Sequence, residues 1–320
     1  MPRNRRMTEV IVFGILSLSV FAPRSHAQAV PGDYQEVLKV LDRKGDFAAG
    51  VLKVNIPRND LKMTVAGAAL PTPFGFGGWV AMTKGDGGME VLMGDLVLLQ
   101  EEVNPVMSAL LDNGIEVTAL HNHFFWDEPR VFYMHVHAHG KAAELAAQLK
   151  PAFDLIGHVA ATPASNSSSA TSASARGSNA PAPASLNSAR IAEIVGHSGE
   201  QTGGVYKISI GRDDIDLREH GARINARMGL NTWAAFAGSD EKANVAGDVA
   251  MLEAEVPAVL KALRKNGLEV VAIHHHMIGS HPVIIFLHYW GQGPAAKLAA
   301  GFRAALDELG RAPASAGKGL

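Results

Sequence analysis

Apolar and polar residues are arranged with the periodicity of strands and helices in two long stretches of the chain. Both stretches predict the same series of strands and helices. Five segments of the first stretch show the alternation, or the continuous apolar run, that is typical of strands. They are Val51 to Ile56, Trp79 to Thr83, Met89 to Leu99, Ile115 to His123 and Val131 to His137. Two segments have helical spacing instead, Glu101 to Asn113 and Lys141 to Ile156. This order predicts an α+β fold of antiparallel strands with two helices, a ββαββα-like core preceded by one strand.

The second stretch repeats the first. Residues Gly50 to Arg58 (GVLKVNIPR) match residues Gly204 to Arg212 (GVYKISIGR) at an offset of 154 positions. From Asp95, which matches Asp248, the offset becomes 153 and stays constant through the last predicted strand. The one-residue slip falls in a Gly-rich turn, where loops tolerate a change of length. The sequence therefore predicts two tandem homologous repeats.

A biased segment separates the two repeats. Residues 161–189 consist almost wholly of Ala, Ser, Asn, Thr and Pro, which is typical of a flexible linker. We expect a first repeat at 30–160, a second repeat at 190–311 and a disordered tail at 312–320.

The first 27 residues have the features of a signal peptide. Three arginines within residues 3–6 precede an apolar run from Val10 to Ala22, and Ser25 and Ala27 supply small residues before the expected cut after Ala27. A twin-arginine signal is an alternative interpretation of Arg5 and Arg6. Either signal predicts a periplasmic or secreted protein with no transmembrane segment in the mature chain.

Composition limits the chemistry that the chain can carry out. With 47% hydrophobic and 19% charged residues, it has the composition of a globular protein. The net charge of −2 gives no general attraction to nucleic acid. The sequence has no cysteine, so disulfides, thiolate ligands and cysteine nucleophiles are excluded.

Histidines are concentrated in two short windows. Ten of the 14 histidines lie in residues 121–139 and 274–288. The positions that both repeats share are an H-x-H pair and one further histidine twelve residues later. They are His121, His123 and His135 in the first repeat and His274, His276 and His288 in the second.

Strand geometry makes this spacing a candidate metal site. Residues two apart on a strand point to the same face, and a turn near Glu128 would place His121 opposite His135. Three imidazoles would then converge in each repeat, which suits a divalent metal, with Zn²⁺ the first choice. Glu102 or Glu128 is the candidate fourth ligand. A purely hydrogen-bonded cluster and a metal-free acid/base site are alternatives.

Two segments of the first repeat resemble the LppY/LpqO family, a bacterial and often exported family that is generally carried as a domain of unknown function. They are residues Glu101 to His123 and Glu128 to His135, with the characteristic Leu-His-Asn-His and Pro-Arg stretches. The second repeat resembles the family through residues 273–276, Pro282 and residues 287–291. The resemblance covers nearly the whole mature chain except the linker and the tail.

The resemblance implies which residues are of interest, although it implies little chemistry. They are His121, Asn122, His123, Glu128, Arg130 and His135. The second repeat departs from the pattern, with His275, His281 and Val283 at the positions of Asn122, Glu128 and Arg130. If a single repeat is active, the departures favour the first.

Three functions are compatible with these residues. The first is a metal-dependent hydrolase, in which Glu128 or Glu102 acts as general base and Arg130 holds an anionic intermediate. The second is a non-catalytic metal-binding or metal-buffering protein. The third is a module that binds a small-molecule or cell-envelope ligand and has structural histidines. We expect the protein to bind a metal and not to bind nucleic acid. Which reaction it catalyses, if it is an enzyme, stays open.

Overall fold

A computed structural model describes residues 28–158 and 185–311. The predicted signal peptide and tail lie outside these ranges. The first repeat contains three helices and nine strands. They are α1 (Gly32–Leu41), β1 (Asp46–Ala48), β2 (Val51–Pro57), β3 (Met63–Val65), β4 (Ala68–Leu70), β5 (Gly77–Lys84), β6 (Glu90–Leu99), α2 (Gln100–Asp112), β7 (Glu116–His121), β8 (Asp127–Glu128), β9 (Val131–Gly140) and α3 (Ala142–Phe153).

The second repeat follows nearly the same order. Its elements are α4 (Ser188–Val195), β10 (Glu200–Thr202), β11 (Val205–Gly211), β12 (Arg218–Glu219), β13 (Ala222–Arg223), β14 (Asn231–Gly238), β15 (Ala243–Leu252), α5 (Val256–Lys265), β16 (Glu269–His274), β17 (Ile284–Gly293) and α6 (Ala295–Leu306). The predicted fold class is confirmed, because the chain has two α+β repeats with antiparallel sheets.

The first helix of each repeat was not among the predicted elements. Helix α1 buries Tyr34, Val37 and Leu41, whose spacing places them on one face of a helix. Helix α4 begins at Ser188, inside the segment predicted as linker 161–189. The part of that segment up to residue 184 lies outside the described residues.

Each repeat is built on a six-stranded sheet. The strand order is β1-β2-β5-β6-β9-β7 in the first repeat and β10-β11-β14-β15-β17-β16 in the second. All neighbouring strands are antiparallel. The orders are equivalent, so the repeats share one topology, with β7 and β16 at corresponding edges.

The two faces of each sheet have different partners. On β2, Leu52 and Val54 belong to a core that the helices of the same repeat cover. Val51, on the other face of β2, belongs to a core that also contains Ile224 and Phe286 of the second repeat. Because successive side chains of a strand point to opposite faces, each sheet is covered by helices on one side and by the other repeat on the other. The molecule is a four-layer α-β-β-α arrangement.

Polar contacts also join the repeats. The Thr118 hydroxyl donates to the backbone carbonyl of His276 at 2.7 Å, and the Asp86 amide donates to that of His220 at 2.8 Å. An ion pair connects Arg227 with Asp46. The two repeats thus pack against each other and are not independent domains joined only by a linker. Among the helices that the structure describes, none is both long and apolar enough to cross a membrane.

Candidate metal centre

The six matched histidines meet where the two sheets face each other. His121 and His274 are the last residues of β7 and β16, while His135 and His288 lie within β9 and β17. His123 and His276 follow two residues after their strands end. Five of the six are buried, and His274 is partly exposed. Histidine is rarely this dense in a protein interior, so the cluster needs a chemical explanation.

The strand register differs from the predicted one by two residues. His121 pairs with Tyr133, and His135 pairs with Ala119, beyond an irregularity after Val117. An even shift leaves side chains on the same face. His121 and His135 therefore still share a face, with ring centroids 5.0 Å apart.

The closest imidazole pairs connect the two repeats. Ring centroids lie 3.7 Å apart for His121 and His274, 3.6 Å for His123 and His288, and 3.8 Å for His135 and His276. Within the second repeat, the rings of His274 and His288 are 4.9 Å apart. The expectation of a separate triad in each repeat is thus replaced by one composite cluster, because the sheets pack with their histidine faces together.

Ring nitrogens from both repeats come close enough to share an ion. One such set is His121, His274 and His288, and another is His135, His274 and His276. The candidate ligand atoms of each set lie within 4.8 Å of one another. Asp95 with His121 and His135 forms a third set, which belongs to the first repeat alone. The buried histidine clusters could hold a metal ion.

Backbone carbonyls orient four of these rings. The Nδ1 atoms of His135 and His288 lie 3.2 Å from the Gly94 oxygen and 3.3 Å from the Gly247 oxygen. His274 Nδ1 is 3.2 Å from the oxygen of His275, and His121 Nδ1 is 3.5 Å from that of Asn122. A carbonyl only accepts, so the proton is placed on Nδ1 and the lone pair on Nε2. Metal-ligating histidines commonly donate their other ring N–H to a carbonyl oxygen in this way.

The Nε2 nitrogen of each ring makes no hydrogen bond to the described residues. In the described part of the chain, the six Nε2 atoms are buried without a hydrogen bond; they belong to His121, His123, His135, His274, His276 and His288. Buried polar atoms are nearly always satisfied, so six adjacent exceptions indicate that an ion, a ligand or water contacts these nitrogens. The donor set fits a borderline divalent metal.

Burial keeps the imidazoles neutral. It lowers the pKa of His274 to about 4 and that of His121 to about 2, with repulsion from His274 as a further cause at His121. Burial likewise holds the pKa values of His123, His135 and His288 well below the usual range. Neutral imidazole is the form that binds a metal, so the cluster is prepared for coordination at neutral pH.

Two carboxyl groups adjoin the histidines. An Asp95 oxygen lies 4.0 Å from His123 Nε2, and an Asp248 oxygen lies 3.9 Å from His276 Nε2. Burial raises the pKa of Asp95 to about 8 and that of Asp248 well above the normal value. The sequence-based site did not include either aspartate. The sequence feature that could have identified them is a charged residue at the same position of both repeats, inside a strongly apolar strand.

Aromatic rings fix the two outermost histidines. His123 stacks on Tyr133 and His276 stacks on Phe286, each with ring centroids 3.3 Å apart. The Tyr133 hydroxyl donates to the Gly75 carbonyl at 2.9 Å. The repeats therefore use equivalent positions, but with a tyrosine in one and a phenylalanine in the other.

A cavity of about 210 Å³ opens beside the cluster, between the sheets. Most of its lining comes in pairs that the repeat relates. The lining residues are Lys53, Asn55, Gly75, Gly77, Trp79, Asp95 and His123 from the first repeat and Lys207, Ser209, Gly229, Asn231, Trp233, Asp248, His276 and His288 from the second. A small ligand in this cavity would contact histidine side chains as well as carboxyl groups.

Glu102 lies away from this cavity and has a structural environment. Its fully buried carboxylate accepts hydrogen bonds from Arg58 at 2.6 Å, from the Leu99 amide at 2.7 Å and from the Gly157 amide at 2.7 Å. Glu255 makes the equivalent contacts in the second repeat. Every oxygen of Glu102 is thus occupied, and the predicted ligand or base role is replaced by a role in fixing the start of α2.

Glu128 and Arg130 lie on the surface. Glu128 is exposed and pairs with Thr64 through β8, and Arg130 is exposed and donates to the Phe125 carbonyl at 3.3 Å. Neither residue lines the cavity. Of the predicted first-repeat residues, the structure brings together only the three histidines.

Fold and site together define a class of protein: a fused pair of α+β repeats with a histidine cluster at their junction. The chain belongs to the family described as Domain of Unknown Function (DUF1259), whose profile matches residues 35–155 and 189–308. The two matches correspond to the two repeats.

Solved structures give weaker similarities. The trimeric bacterial microcompartment shell protein PduB is 11% identical, with 82% of this chain and 92% of that chain covered and a TM-score of 0.19. EtuB from Clostridium kluyveri is 10% identical, with 82% and 89% covered and a TM-score of 0.19. EutL, an ethanolamine utilization protein from Leptotrichia buccalis, is 12% identical, with 69% and 79% covered and a TM-score of 0.17. These scores are too low to bear on function. No curated protein matches the chain.

Proposed function

We propose that the protein binds a divalent transition metal, with Zn²⁺ the first choice, in a centre formed by both repeats. The observation that carries this proposal is the group of six neighbouring Nε2 atoms that are buried without a partner. The neutral imidazole nitrogens favour Zn²⁺ over hard cations such as Mg²⁺, which prefer oxygen ligands.

The first test measures the zinc content of the wild-type mature protein and of two variants, one at a candidate ligand and one at a neighbouring control position. His274 belongs to both cross-repeat sets, so His274→Ala removes a ligand from each. His275→Ala is the control, because that neighbour is exposed and only its backbone carbonyl contacts the cluster. After dialysis against buffered zinc, we expect elemental analysis to find zinc in the wild type and the control but not in His274→Ala.

The outcomes separate the candidate functions. Equal and negligible zinc in all three proteins would end the proposal and favour a ligand-binding module with structural histidines. Two ions per chain would favour metal buffering, since the cluster has two equivalent sides. One ion per chain would favour a single functional centre.

A metal-dependent hydrolase is the second candidate, and the cavity beside the cluster favours it. A bound zinc ion supplies a Lewis acid at that position. Asp95 and Asp248 are the carboxyl groups placed to hold or transfer a proton there. With a panel of chromogenic esters, Asp248→Asn should lower turnover while zinc content stays constant. Turnover that is equal in Asp248→Asn and the wild type contradicts this role.

Two further expectations belong to the same proposal. The first 27 residues support export to the periplasm or the medium, which N-terminal sequencing of the secreted protein would test. The Leu-His-Asn-His stretch supports membership of the LppY/LpqO group, and Glu128 and Arg130 stay predicted residues of interest on that basis alone.

A further inference from the structure

Two lysines line the cavity beside the histidine cluster. Lys53 and Lys207 occupy matched positions on β2 and β11, and both line the cavity. The Lys53 Nζ lies 4.2 Å from the ring centroid of Trp79, and the Lys207 Nζ lies 4.0 Å from that of Trp233. Cation–π contact holds each ammonium group at a defined place in the wall.

Neither ammonium group forms an ion pair with a carboxylate in the part of the chain that the structure describes. Over residues 28–158 and 185–311, Lys53 and Lys207 donate no hydrogen bond and form no ion pair. Asp95 and Asp248 line the same cavity and attract the lysines, but neither forms an ion pair with them in the described residues. Burial lowers the pKa of both lysines to about 8, repulsion from Lys207 contributes at Lys53, and attraction to Asp95 opposes the shift at both. A desolvated cation without a partner is unfavourable, and a bound anion would offset this.

The cavity limits the size of such an anion. Its volume of about 210 Å³ corresponds to roughly seven water molecules in the liquid. Asn55, Ser209 and Asn231 add polar groups to the lining, and the two tryptophan rings add apolar walls. The space suits a compact polar molecule.

We infer that this cavity binds a small organic anion of about the size of malonate, with a carboxylate held between Lys53 and Lys207. The ligand would lie against His123, His276 and His288 on the opposite part of the lining. This inference goes beyond metal binding and does not require a bound ion, because the lysines alone supply the positive charge.

The test is calorimetric titration of the full mature chain with malonate and with malonamide, its neutral isostere. Protein stripped of metal on a chelating resin and zinc-loaded protein are titrated in parallel. Lys53→Met and Lys207→Met remove the charge but keep an unbranched side chain. Lys297→Met, an exposed lysine on α6, is the control. We expect malonate to bind and malonamide not to bind. Each cavity variant should weaken malonate binding at least tenfold in both metal states.

The other outcomes overturn the inference. Malonate affinity that depends on zinc but not on the lysines would mean that the anion binds the metal. Equal binding of malonamide would mean that charge plays no part, and no binding of malonate would leave the lysines without the proposed ligand. If a methionine variant does not fold, Lys53→Gln and Lys207→Gln replace it, with circular dichroism as the check of folding.

Discussion

The two ring nitrogens of each histidine that a backbone carbonyl orients have different surroundings. In His135 and His288 the Nδ1 side faces the carbonyl of a glycine on the neighbouring strand, while the buried Nε2 makes no hydrogen bond to the described residues. The backbone thus selects the tautomer before any ligand arrives. Residues without this support, His123 and His276, stack on an aromatic ring instead. The ring positions are therefore set by the fold.

Without metal, we predict that the free energy of unfolding falls as the pH is lowered below about 6.5. Burial lowers the pKa of His274 to about 4 and that of His121 to about 2, so the folded chain leaves rings neutral that the unfolded chain protonates. Each such histidine lowers stability by up to about 1.4 kcal/mol per pH unit. Urea denaturation between pH 7 and pH 5 measures the slope.

The sign depends on a balance of groups. Asp95 and Asp248 have raised pKa values, so their uptake of protons in the folded chain stabilises it as the pH falls. Six imidazoles outnumber these two carboxyl groups, and the net effect is destabilising. The slope should be smaller in His274→Asn. A stability that is constant from pH 7 to pH 5 would contradict the prediction.

We predict that Glu102→Ala destabilises the protein without removing its metal. The substitution leaves the buried Arg58 guanidinium without one of its two carboxylate partners, and breaking a buried ion pair costs about 3–5 kcal/mol. Thermal denaturation and zinc content are measured together, with Glu101→Ala as the control. Loss of zinc from a Glu102→Ala protein that is still folded would restore the predicted role as a ligand.

At the level of elements, the strands were predictable from the sequence, but the surface that packs against the histidine face of each sheet was not. The alternation in Val131 to His137 identifies β9 and the face that carries His135. It contains no information on which surface covers that face. The short contact between His135 and His276 arises only when two sheets pack, because it joins residues that no local pattern connects. Helix α4 escaped prediction since its first residues continue a Ser/Ala-rich composition.

The same limit explains which site residues were missed. Lys53 and Asp95 are isolated charges in apolar strands, and a single strand gives no reason to combine them. Their matches, Lys207 and Asp248, were visible in the repeat alignment. Matched charges inside buried strands are therefore the sequence feature that could have located the cavity.

Strand β15 contains a glycine that the sheet requires, and we predict that Gly247→Ala is destabilising. An added Cβ would lie 2.2 Å from the Trp233 oxygen and 2.3 Å from the Tyr289 hydroxyl. Overpacking of this kind costs typically about 1–3 kcal/mol. It should also weaken zinc binding, because the Gly247 carbonyl orients His288. Gly32→Ala, at a position with no atom within 4 Å, is the control for both measurements. A Gly247→Ala protein as stable as the control would contradict the account.

At the scale of the whole molecule, two of the four hydrophobic cores that the described residues form contain side chains of both repeats. Neither repeat can lose its structure without exposing the apolar face of the other. Sequence alone indicated two domains joined by a linker. The interface between them is what the structure adds.

We predict that the repeats unfold in a single transition and that zinc raises its midpoint. Calorimetry should give equal calorimetric and van't Hoff enthalpies. Zinc at about a hundred times its Kd should add about 2.7 kcal/mol. His135→Ala in the first repeat and His276→Ala in the second should each reduce the zinc-dependent increase, because both residues belong to the same cross-repeat set of candidate ligands. Two separate transitions, or an effect confined to one repeat's variant, would contradict a shared centre.

Placing the pairs His121–His274 and His135–His276 on one polypeptide has a consequence for how the centre responds to dilution. An equivalent centre between two separate subunits would dissociate as protein becomes scarce, and its metal would be released. Here the second half is always present at a high effective concentration, set by the chain itself. A protein released into a large volume would keep its binding centre intact, and each half would be free to change its side chains independently of the other.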